Sequence, residues 1–273
     1  MEHVELQPLQ EPVLRYETRG MGYSPEDILL FVDADAEVNA EMKAGGGVKG
    51  LSRLDAVKQA LVLFVHSKLL MHPQHRFSVA TLSNNAVWHQ QEFTNDMEVI
   101  GQAVRGLASG GAFTCCDLSE LFQIAAAEAH SSHALDRTLR VVLIYCRSSV
   151  VPEVAVQLPG KQRLFTFDAL YLHDKPTRDN CPQRVYDVLV DALERVSEFE
   201  GYIFESSSGS ARVLFRHMCV LLSHPQQRCA QDEFDAPKDL AKMVAPVPRT
   251  SSSRGLPQLR KEGEDDGSGP RTF

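Results

Sequence analysis

Short apolar runs alternate along the chain with longer stretches whose apolar residues recur every three or four positions. Ile28 to Val32 is one such run, bounded by Pro25-Glu26-Asp27 in front and by Asp33, Asp35 and Glu37 behind. An uncharged run of that length predicts a strand over 27–33, buried on both faces as in a mostly parallel sheet. Arg140 to Cys146 and Phe165 to Leu172 predict two more strands of that kind. Phe77 to Leu82 and Ala86 to Phe93 flank the turn signal Asn84-Asn85 and predict a hairpin. So short a connection joins antiparallel neighbours, because a parallel pair needs a crossover of about a dozen residues. Gly201 to Glu205 predicts a short last strand.

The helical period fills the spaces between. Ser52 with Asp55 three positions on reads as a capping box. Leu54, Val57, Leu61, Phe64 and Val65 then share one helix face, and Pro73 ends the helix near Met71. Further helices are predicted over 96–107 with Asn95 as cap, and over 117–130 with Leu118, Leu121, Phe122 and Ala125 inward. Another is predicted over 183–198, its buried stripe including Val185, Leu189, Ala192 and Val196. The last is predicted over 210–223, stopped by His224-Pro225. The alternation predicts a three-layer α/β sandwich, with helices on both faces of a mostly parallel central sheet and one antiparallel edge strand. Residues 1–24 read as a flexible arm and 25–230 as the domain. Residues 231–273, where Ser, Pro, Gly and charge replace apolar side chains, read as a disordered tail.

Composition narrows the classes. A net charge of −8 with no basic stripe argues against nucleic acid as a partner. No apolar run approaches the roughly 20 residues a membrane helix needs. The polar, acidic start MEHVELQPLQEP is no signal peptide. Six cysteines without CxxC spacing suit reduced thiols, hence a cytoplasmic and nuclear setting.

Two motifs invite chemistry. Gly45, Gly47 and Gly50 spell G-x-G-x-x-G, but they stand well beyond the strand that ends at Asp33, and Leu51-Ser52 follows where a P-loop needs Lys-Ser/Thr. The acids after the first strand are the better candidate, since ligands sit at the carboxyl ends of strands in open α/β sheets. DADAE has the layout of the D-x-S-x-S metal site of von Willebrand factor A domains. In that site an Asp, two Ser, a Thr on a second loop and a last Asp hold Mg²⁺ or Mn²⁺, leaving one position for a partner's carboxylate. Here Asp33 keeps the first ligand position, Asp35 and Glu37 replace the hydroxyls, and Thr114 matches the Thr. Tyr145-Cys146-Arg147 stands where Thr-Asp-Gly is expected, so the last ligand is missing and Arg147 can pair with the acids instead. The site is read as degenerate. The alternative is a metal-dependent A domain that binds a carboxylate through Asp33, Asp35 and Thr114. No HExxH, GxSxG or cysteine-hydrolase context is present, so no catalytic residue and no cofactor is assigned.

DILLFVDADAE, RFSVATLSNNAVW, CDLSELF, RVVLIYCRS, FTFDALYLH and LLSHPQQRC occur in this order. Together they resemble the von Willebrand factor A-like scaffold subunit of the BRISC and BRCA-A deubiquitinase complexes, the "mediator of interactions and targeting" family. The resemblance covers about residues 27–230 and is most specific in RVVLIYCRS and LLSHPQQR. It implies a non-catalytic arm that binds a subunit of ubiquitin-conjugating-enzyme-variant fold directly. Through that subunit it implies indirect contact with a scaffold and a metalloisopeptidase. The assembly cuts ubiquitin chains linked through lysine sixty-three and serves the DNA-damage response; ubiquitin itself is a further candidate partner. The chain departs from animal members in its short N-terminal arm and its long tail. Partner contact is expected at His224, Pro225, Gln227 and Arg228.

Overall fold

The computed structural model describes residues 22–43, 50–84, 86–154, 163–207 and 209–233. The glycines at 45 and 47, Asn85, and nearly all of the predicted arm and tail lie outside the described residues.

The first strand, β1 (Glu26–Asp33), is buried at every position. Short strands β2 (Glu41–Met42) and β3 (Leu51–Ser52) pair with each other ahead of helix α1 (Arg53–Met71). Strands β4 (Arg76–Leu82) and β5 (Ala86–Thr94) form the predicted hairpin. Helices α2 (Met97–Gly106) and α3 (Ser119–Ala134) precede β6 (Thr138–Tyr145). Strand β7 (Thr166–Leu172), helix α4 (Pro182–Val196), strand β8 (Ile203–Ser206) and helix α5 (Ala211–Val220) complete the domain.

The large sheet runs β5-β4-β1-β6-β7-β8. Every neighbouring pair is parallel except β4 with β5, so the single antiparallel strand lies at an edge. Counting only these six strands in chain order gives 3-2-1-4-5-6, the doubly wound order that reverses beside β1. Successive side chains of β1 serve opposite faces. Ile28, Leu30 and Val32 pack with α1, α2 and α5, while Leu29 and Phe31 pack with α3 and α4. Each is worth about 1.5–3 kcal/mol of burial, which is why an uncharged run occupies the centre. Among the described residues no helix is long and apolar enough to cross a membrane.

Several boundaries need correction. The cap of α2 is Asp96, whose Oδ1 accepts from Glu98 N and Val99 N. Asn95 instead donates to Pro73 O at 3.1 Å. Helix α3 begins later than predicted because Asp117 takes Ser119 N and Leu118 closes the turn. The runs over β6 and β7 are not wholly apolar in effect: Arg140 and Asp168 lie inside them, both fully buried.

Candidate functional site

At the upper pole, where the parallel strands end, Asp33 is 1% exposed. Its Oδ1 accepts from Asp35 N at 3.1 Å and its Oδ2 from Cys146 N at 3.1 Å. Arg147 Nε lies 3.0 and 3.2 Å from the two oxygens. The rest of that guanidinium is held by main chain: it donates to Cys115 O at 2.6 Å and to Ser83 O at 2.7 Å. Phe113 covers it, with ring centroid and guanidinium carbon 4.9 Å apart. A fixed, fully buried cation therefore stands against the first acid.

The other two acids are engaged separately. Asp35 Oδ1 accepts from Glu37 N at 3.0 Å, capping a single 3-10 turn, and Oδ2 accepts from Phe113 N at 2.8 Å. Glu37 takes both the backbone N–H and the hydroxyl of Ser148. Arg53 lies 3.9 Å from Glu37 and 2.9 Å from Asp174. Arg147 thus pairs with Asp33 and not with all three acids. Thr114 is exposed, and no hydrogen bond of the cluster uses it.

Burial pushes the Asp33 carboxyl up to about 6, against the opposing pull of Arg147 and the two N–H donors. Burial also drives the neighbouring Cys146 thiol upward. A divalent ion needs carboxylate lone pairs directed at one point. Those of Asp33, Asp35 and Glu37 are already shared out among N–H, O–H and guanidinium donors, and a positive charge stands beside Asp33. The residues present do not fit Mg²⁺ or Mn²⁺. Among the described residues no group of His, Cys, Asp and Glu is arranged to hold a metal.

The lower pole carries a larger ionic cluster. Glu26, fully buried, pairs with Lys68 and, at 3.1 Å, with Arg140. Its backbone N–H donates to His75 Nδ1 at 2.9 Å. Arg140 Nε reaches Asp168 Oδ2 at 2.6 Å, and Arg228 meets both Asp168 oxygens at 2.7 and 3.1 Å. Asp27 is held by Arg76, Arg137 and the Ser132 hydroxyl. Burial works against ionisation of Glu26, but Lys68 and Arg140 prevail and hold its carboxyl at about 2.

This cluster was not anticipated. A charge inside an otherwise apolar run was its signal, since a buried charge must find a partner. It also relocates the expected partner-contact residues. His224 is 6% exposed, with Nε2 3.0 Å from Ser24 O and its ring stacked on Tyr23. Pro225 is buried, and the Arg228 side chain is sealed between Asp168 and the Tyr202 ring. The string LLSHPQQR clasps the fold to itself; of its end, Gln226 and Gln227 face outward.

No family profile and no curated protein matches the chain. Among solved structures, a variant of the PilB minor pilin from Streptococcus sanguinis is similar with a TM-score of 0.51 at 10% identity. That likeness covers 74% of this chain and 61% of the pilin, so the chain spans less than two thirds of it. The SpRpn10 VWA domain gives a TM-score of 0.48 at 13% identity, covering 71% of this chain and 95% of that domain. A von Willebrand factor type A structure from Catenulispora acidiphila gives 0.45 at 13%, covering 73% and 42%. Such identities speak for fold alone. The strand order and the antiparallel edge strand make the chain a doubly wound, mostly parallel three-layer α/β domain with a cluster of acids after β1.

Proposed function

We propose that this chain is a non-catalytic scaffold subunit of a deubiquitinase assembly that cuts ubiquitin chains linked through lysine sixty-three. One observation supports the non-metal part. Arg147 is lodged against Asp33 at the pole where A domains hold their ion. A tethered guanidinium offers no open coordination position to a partner's carboxylate. The particular assembly follows from the order of sequence strings quoted above, RVVLIYCRS and LLSHPQQR foremost. In this reading the direct partner has the ubiquitin-conjugating-enzyme-variant fold, the scaffold and metalloisopeptidase subunits are reached through it, and the setting is cytoplasmic and nuclear, with a part in DNA repair.

The test is affinity purification of the full chain from cells of its source, followed by mass spectrometry and a cleavage assay. An enzyme-variant-fold subunit and linkage-specific cleavage are expected in the eluate, with no cleavage by the chain alone. Cleavage by the purified chain, or an eluate without that subunit, ends the proposal.

A further inference from the structure

The lower pole also carries a groove beside the ionic cluster. Its widest part, of about 800 Å³, lies between the C-terminal half of α4 and the start of β8. A hollow of about 260 Å³ shares Glu198 and Phe199 with it, and a third of about 460 Å³ shares Asp136 and Arg137 with the second. The second hollow also borders exposed Gln226. In the widest part, half-buried Tyr186, Val190, Leu193 and Phe199 give an apolar lining. Glu194, Glu198, Glu200 and Asp232 supply acids there, and Arg163 is the cation among the lining residues.

Strand β8 ends the sheet, and its outer side borders this groove. On the inner side Tyr202 O and Ser206 O accept from Ala169 N and His173 N. The peptide groups of Ile203 therefore point to the open edge, while its side chain stays buried. Its N–H donates to Gln231 Oε1 and its carbonyl accepts from Gln231 Nε2, each at 2.7 Å. One side-chain amide makes the pair of bonds that an added strand would make. Glu205, two residues on, directs its peptide groups to the same side.

We propose that this edge takes an extended, lysine- or arginine-bearing segment of a partner protein, added beside β8 in place of the Gln231 amide. Main-chain bonds supply affinity in strand addition, and alternate side chains supply specificity. One set of alternate side chains meets the apolar lining, and the acids select a basic sequence. The proposal rests on the chain being a binding subunit.

The test uses the full chain and two synthetic dodecapeptides, one alternating lysine and valine, the other glutamate and valine. Fluorescence polarisation and amide hydrogen exchange read the result. The basic peptide is expected to bind and to slow exchange at Ile203 and Glu205. The Glu194→Lys, Glu200→Lys double variant weakens it about tenfold, and Gln231→Ala tightens it. Equal binding of the acidic peptide, no binding, or protection elsewhere overturns the proposal. So does protection already present in the free chain that is lost on proteolytic trimming beyond 234, which makes the chain's own tail the occupant. Protection that grows with chain concentration makes a second copy the occupant and overturns it too. If the peptide binds as stated but no enzyme-variant-fold subunit co-purifies, the assembly reading fails and the groove stands. The reverse result removes only the groove.

Discussion

The two ends of β1 both bury carboxylates, but they satisfy them differently. At the upper pole Asp33, Asp35 and Glu37 each have separate donors, most of them backbone N–H groups, and only Asp33 meets Arg147. At the lower pole Glu26, Asp27 and Asp168 are neutralised by Lys68, Arg76, Arg137, Arg140 and Arg228, with Arg140 bridging two acids. The upper acids are close together in sequence, and donors from the loops after α2 and β6 hold them mainly through backbone N–H groups. The lower acids are scattered and held by side-chain cations, joining the start of β1, α1, β6, β7 and the string after α5. Charge at the upper pole fixes the loop that follows β1. Charge at the lower pole locks the C-terminal string to the sheet.

The largest effect is expected where a shared carboxylate is removed. Asp168→Ala leaves the Arg140 and Arg228 guanidiniums buried without their common partner. Breaking a buried pair from one side costs about 3–5 kcal/mol, read as a fall in the urea midpoint. Asp33→Ala strips Arg147 of one partner but leaves its carbonyl acceptors at Cys115 and Ser83. A smaller loss of about 1–3 kcal/mol is expected there. Equal losses would abolish the distinction between the poles. Gly201 gives an independent probe of the lower pole, since a Cβ there would collide with Phe167 O and lie 2.8 Å from Ser197 Oγ. Gly201→Ala is expected to cost about 1–3 kcal/mol through overpacking.

Acid separates the poles by sign. Burial, with the positive charge of Lys68 second, lowers His75 to about 3. The geometry agrees, because its Nδ1 is occupied as an acceptor for Glu26 N–H. Burial also lowers His224. Both imidazoles take protons more readily unfolded, so stability falls as pH drops below the ordinary histidine value near 6.5. Glu26, held at about 2, adds a further loss below about pH 4.5. Asp33 runs the other way: its folded value near 6 lies above the unfolded 3.8, so the folded state gains a proton first and gains stability over that window. Each group contributes a slope of at most about 1.4 kcal/mol per pH unit. Asp33→Asn should therefore steepen the loss of stability between pH 6 and pH 4, measured by urea midpoints. An unchanged or shallower slope would show that Asp33 does not oppose the lower cluster.

The layers were legible because burial imposes period: Ile28 to Val32, the α1 stripe and the hairpin all follow from spacing. The upper site was legible because its acids are adjacent in sequence. The lower cluster was not, because Glu26, Lys68, Arg140, Asp168 and Arg228 are separated along the chain and meet only once the parallel strands, α1 and the string after α5 are packed together. Glu26 and Asp27 looked like the polar boundary of a strand and are its buried first residues. His224 and Arg228 looked like an exposed recognition string for the opposite reason: a polar stretch after a helix gives no sign that its guanidinium turns back under the sheet.

The smallest expected effect is the one that bears most directly on the upper pole. Added Mg²⁺ or Mn²⁺ should leave the thermal midpoint of the wild-type chain unchanged, and EDTA should do the same. A ligand that binds only the folded state raises stability with its concentration over Kd, so a null shift at millimolar metal sets a direct bound on affinity. Arg147→Ala sharpens the point. It removes the guanidinium but leaves Asp35 and Glu37 committed to Glu37 N, Phe113 N and Ser148. If Arg147 alone kept metal out, this variant would acquire a metal-dependent midpoint. If the whole donor set does, as the separate partners of the three acids indicate, the variant is destabilised and still indifferent to metal.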